Sequence, residues 1–114
     1  MPLEVQFLSG NVNVVDYTPT ADMPAGRVVV IGVTPLIVQT AIPANRLGAV
    51  AVSGGIYQGV SGVALTAGAK VWWDDTNNRV TNVSAGNQVL GFLLPNSSST
   101  AAGQNVQFIH DPAA

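Results

Sequence analysis

Few side chains in this chain have the chemistry of a catalyst. Asp74 and Asp75 are the one carboxylate pair adjacent in sequence. Acid–base work or metal binding needs carboxylates that converge, and neighbours along a strand point to opposite faces. Asp favours turns because its side chain bonds the local backbone, so the pair predicts a structural turn. His110 is the sole histidine, and no Ser or Glu motif stands beside it to complete a relay. Ser97-Ser98-Ser99-Thr100 reads as a polar loop without a nucleophile-elbow pattern. The glycines at 54, 55, 59 and 62 match no phosphate-cradling loop, and Gly54-Gly55 predicts a turn between two strands. There is no cysteine, so no disulfide, thiolate or Cys-ligated metal is available. The expectation is no enzyme and no cofactor or metal site.

Trp72 and Trp73 are the other residues with functional potential. Adjacent residues of a strand face opposite sides. One of the two is expected in the core and the other toward solvent or a partner. An outward Trp is suited to stacking on a sugar or to anchoring a protein contact.

The elements that would position these residues are strands. The chain has 114 residues with 12 Gly and 7 Pro spread throughout, and no stretch of helical length keeps an apolar i, i+3, i+4 stripe free of them. Short Val- and Ile-rich runs bounded by Gly, Pro and Asn predict strands near 4–8, 12–17, 27–32, 36–40, 47–52, 56–59, 69–74, 79–82, 89–94 and 106–110. A small turn ahead of a strand recurs five times: Pro24-Ala25-Gly26, Pro43-Ala44-Asn45, Thr66-Ala67-Gly68, Ser84-Ala85-Gly86 and Ala101-Ala102-Gly103. Gly or Asn at its third residue predicts positive φ there. The segment 69–81 predicts a hairpin around Asp75-Thr76-Asn77-Asn78. The expected fold is all-β: a small β-barrel or β-sandwich of about 8–10 short strands with an extended N-terminal arm.

Composition sets the partner class. Only 9% of residues are charged and 47% are hydrophobic, against about 25% charged in an ordinary domain. The four basic residues (Arg27, Arg46, Lys70, Arg79) are scattered and the net charge is −2. Nucleic-acid binding needs clustered Lys and Arg, so it is not expected. The longest apolar run, 28–38, is interrupted by Gly32, Thr34 and Pro35, far short of the ~20 residues of a membrane span. Met1-Pro2-Leu3-Glu4 lacks a basic n-region and an apolar core, which predicts a product used without export by a signal peptide. A surface so poor in charge predicts that much of it is covered by other subunits.

The first residues alternate apolar and polar, Leu3-Glu4-Val5-Gln6-Phe7, up to the break Ser9-Gly10-Asn11. They form a strand for the chain's own sheet or one lent to a neighbour. Residues 1–11 are accordingly expected as an arm and 12–114 as a single domain. Partner-contact candidates are Leu3, Val5 and Phe7 in the arm, Arg46 in a loop, and Trp72 or Trp73 on the hairpin.

The run VVDYTPTADMPAGRVVVIG at 14–32 resembles the opening of a family of small phage proteins catalogued as a domain of unknown function (DUF2190). TAGAKVWWDDTNNRVT at 66–81 resembles its most recognisable stretch, and GNQVLG at 86–91 and GQNVQF at 103–108 fit its ending. The likeness covers nearly the whole chain from residue 12 to 110. Two departures are the segment before Asn11, which is no fixed part of the pattern, and Asn45 where Gly is usual. The resemblance implies a capsid decoration or cement protein: all-β, without enzymatic activity, and self-associating, commonly as a trimer on local three-fold positions. It implies the major capsid protein as partner, a place on the outside of the virion after synthesis in the host cytoplasm, and stabilisation of the head. The competing expectation is a carbohydrate- or host-surface-binding module of a phage fibre or head appendage.

Overall fold

The computed structural model of the chain describes residues 4–113. Over them the elements are eight strands: β1 (Val5–Tyr17), β2 (Val28–Ile31), β3 (Thr34–Val38), β4 (Gly48–Val60), β5 (Lys70–Asp74), β6 (Arg79–Thr81), β7 (Gln88–Leu93) and β8 (Asn105–His110). All neighbouring strands pair antiparallel. The all-β expectation holds, and the chain forms one curled sheet in the order β2-β3-β4-β8-β7-β5-β6, with β1 on the other edge of β4.

Strand β4 is the spine of two curls. On one side the sheet runs β1-β4-β3-β2 and bends until the start of β1 meets the turn before β2. There the Val5 amide donates to the Gly26 carbonyl at 3.0 Å, and the Val28 amide donates to the Glu4 carboxylate at 3.0 Å. On the other side it runs β4-β8-β7-β5-β6 and bends until β6 meets the residues just after β4. A parallel bridge joins Ser61 to Val80, and the Gly62 amide donates to the Val80 carbonyl at 2.8 Å.

The five predicted turns are all present, and each carries its positive φ: Gly26 at 83°, Asn45 at 63°, Gly68 at 75°, Gly86 at 74° and Gly103 at 86°. Four close with a hydrogen bond from the amide after Gly or Asn to the carbonyl two residues before it. These are Arg27 to Pro24, Arg46 to Pro43, Ala69 to Thr66 and Asn87 to Ser84, at 3.1–3.3 Å. In the fifth, the Gln104 amide donates instead to the Ser61 hydroxyl at 3.2 Å. Residues leading into the turns pair in twos, Met23 with Ile42 and Leu65 with Ser99. The turns therefore tie together parts of the chain far apart in sequence.

The predicted strands differ from the observed ones at two places. Segments 4–8 and 12–17 are one strand, β1, and segments 47–52 and 56–59 are one strand, β4. Gly54-Gly55 is thus no turn. Both glycines have positive φ inside β4 and face Gly10 and Asn11 across irregularities in the β1–β4 register. Bulges like these bend and twist a strand without ending it.

The core lies inside the curls. Period-2 alternation in β8 turns Val106, Phe108 and His110 inward. Val106 and Phe108 join Tyr57, Val71, Trp73, Val80 and Leu90 in the main buried cluster, His110 meets it through the Tyr57 ring, and Val5 joins it from β1. Tyr57 stacks on Phe108 with ring centroids 5.8 Å apart. A second cluster of Leu36, Val38, Ile42 and Val50 lies under Tyr17, Met23 and Val29.

Candidate functional site

The carboxylate pair is a turn. One Asp74 oxygen accepts from the Thr76 amide at 3.1 Å and the Asn77 amide at 3.2 Å, and the other from Asn77 Nδ2 at 2.9 Å. These bonds, led by the Asn77 side chain, hold the Asp74 carboxyl below the usual carboxylate range. Asp75 accepts from the indole N–H of Trp73 at 3.1 Å. Both carboxylates thus shape the β5–β6 hairpin. Among the described residues no three His, Asp or Glu side chains converge to hold a metal.

His110 is wholly buried. Its Nε2 donates to the Pro35 carbonyl at 2.8 Å, its ring meets Tyr57 edge-on, and its Nδ1 has no partner. Burial pushes its pKa below the ordinary value, opposed by the Pro35 bond and by Asp111. Tyr57 is likewise a core residue: burial pushes its hydroxyl up to about 12, opposed by the bond that Gln39 Nε2 donates to it. Neither group opens onto a cleft with a nucleophile in it.

The two tryptophans divide as the strand geometry requires. Trp73 is buried in the core, where removal of so large a side chain costs about 3–5 kcal/mol. Trp72 is half-buried, with Lys70 Nζ 5.5 Å from its ring centroid. Of the other contact candidates, Val5 is 1% exposed and anchors β1, whereas Phe7 is 42% exposed while its ring meets Tyr57 edge-on at 5.4 Å. Arg46 is exposed in the second turn, beside Leu47 at 69%. Leu3 lies outside the described residues.

Strand β1 is an open edge of the sheet. It has 13 residues and, among the described residues, pairs as a strand only with β4. Between its anchors, Val5 in the main cluster and Tyr17 against the second, every residue from Gln6 to Asp16 except Val12 is exposed. Val14 and Val15 point to opposite faces, yet they are 53% and 45% exposed. Its one charge is Asp16, and it contains neither Lys nor Pro, the residues that commonly guard an open edge. Sequence reading missed Val14 and Val15, although two adjacent valines break the alternation of a strand with one buried face.

The family model described as phage cement protein matches residues 9–108. The chain belongs to the phage cement protein family. No curated protein and no solved structure matches it. Membership makes it a phage structural protein with a capsid-stabilising role. The family match starts at residue 9, inside β1, and spans all five turns of this cement protein.

Proposed function

We propose that this cement protein binds the outer surface of a phage head as a homo-oligomer, most simply a trimer, and stabilises the head by bridging major capsid protein subunits. It is made in the host cytoplasm and added to the head from outside. The observation that carries the reading is the open outer edge of β1. A long edge strand with one charge would pair with copies of itself in free solution. On a particle, the same edge is a contact: main-chain hydrogen bonds supply affinity, and side chains such as Phe7, Val14 and Val15 supply selectivity. Residues 1–11 serve as the contact arm and 12–114 as the body that presents it, with Arg46 and Leu47 as a second contact point. Many identical sites on one shell multiply a modest affinity per site. The scattered basic residues support neither a nucleic-acid nor a membrane partner.

The carbohydrate-binding alternative draws little support from Trp72, which is half-buried beneath Lys70. A sugar platform needs an open aromatic face.

Hydrogen–deuterium exchange of the free and head-bound protein tests the proposal. Amides of Gln6–Asp16 should exchange quickly on their outer side when free and become protected on heads. Unchanged exchange across β1 on saturated heads would show that this edge is not the contact.

A further inference from the structure

An open groove of ≈600 Å³ lies where the second curl closes, lined by Ser61, Gly62, Asp74, Arg79, Thr81 and Asn87 among others. Its chemistry is set by β6. Arg79 and Thr81 are two apart on that strand and so share a side, while Val80 between them is buried in the core. The Thr81 hydroxyl oxygen accepts from the Val83 amide at 3.2 Å, which leaves its O–H to donate. Asp74 stands opposite Arg79 in the hairpin register. Its oxygens already accept three hydrogen bonds, from Asn77 and the turn amides, and it forms no ion pair with Arg79 among the described residues. The guanidinium is therefore left with its donors unspent.

The root of the arginine packs on Gly62. A Cβ on Gly62 would lie 3.1 Å from Arg79 Cβ and 3.7 Å from its Cγ, so the bare glycine gives the stem a surface to lie on. Opposite it, the Asx turn of Asp74 and Asn77 fixes the other wall. A guanidinium without an internal partner, on the same side of β6 as the Thr81 hydroxyl and lining a concave site, matches a planar carboxylate taken by two parallel hydrogen bonds.

We infer that this groove is a socket for an Asp or Glu side chain carried on a loop of the capsid protein. The inference rests on the cement reading and names the chemistry of one of its contacts, separate from the apolar edge of β1. The occupant brings the negative charge, and the socket brings the fork that orients it. A charged contact of this kind adds selectivity and register where the apolar edge adds area.

Binding of the full chain to purified undecorated heads, measured at low and high salt, tests the socket. Arg79→Gln should weaken binding about 30-fold at low salt and flatten the salt dependence, with an unchanged melting temperature. Arg79→Lys, which keeps charge and stem but not the fork, should fall between the two. Arg27→Gln removes the same charge elsewhere and should bind as the wild type does. Wild-type affinity in Arg79→Gln and Arg79→Lys alike would overturn the socket and leave the cement reading standing. Weaker binding with an unchanged salt slope would overturn the carboxylate in favour of a neutral occupant such as a sugar hydroxyl. If the wild type does not bind heads at all, the cement reading fails and the socket with it.

Discussion

Gly54 passes directly beneath the Asn11 carbonyl: a Cβ at Gly54 would lie 2.5 Å from that oxygen. This contact lets β1 and β4 run as one long twisted ribbon, with Gly54 at φ 84° and Gly10 at φ 100° on opposite sides of it. Gly54→Ala meets both a backbone clash and an unfavourable φ. It should destabilise the protein by about 1–3 kcal/mol, read by denaturant unfolding. Exchange of the β1 amides should rise more than exchange in β8. Unaltered stability would mean that the ribbon does not depend on this close approach.

His110 predicts how stability follows pH. Its pKa is held below 6.5 by burial, so as pH falls the unfolded chain takes up its proton before the folded one does. Stability from the buried neutral ring is complete above pH 6.5 and declines below it. Protonation would put a second N–H, at Nδ1, into a site where that atom has no partner. The midpoint of urea unfolding should drop between about pH 7 and pH 5. His110→Gln should be less stable at neutral pH but flatter across that range. Parallel curves for the two proteins would remove His110 as the cause.

Val14 and Val15 separate binding from folding. Both are about half exposed, so replacing them by Lys should change stability by no more than about 0.5 kcal/mol. The same double substitution puts two charges on an edge that has one, which opposes strand addition. Val14→Lys/Val15→Lys should remain folded and lose most of its affinity for heads, measured by binding isotherm. Full affinity would exclude this end of β1 from the contact. Deleting residues 1–10 is a poorer probe, because it removes Val5 from the core and its amide from Gly26.

Much of the fold is legible in local chemistry. Asn45 and the four turn glycines announce themselves through the small residue before them and the strand after, and all five take the expected φ. The Trp72–Trp73 split follows from strand alternation alone, and the role of Asp74 follows from turn chemistry. What is not legible comes from long-range pairing. Gly10, Gly54 and Gly55 look in sequence like turn residues. Only the antiparallel β1–β4 register reveals that they lie across from one another inside one ribbon. Val5 reads as an exposed arm residue because nothing local signals that Gly26 will receive its amide. The groove at Arg79 draws on Ser61, Asp74, Asn87 and Gly103, from separate stretches of chain, and no spacing along the sequence joins them.

Co-sedimentation with purified heads tests most directly whether this protein cements a phage head. The protein should pellet with the heads to a saturable number of copies, and saturated heads should resist heat better than bare ones. Protein that stays in the supernatant at saturating concentration, with head stability unchanged, would contradict the account.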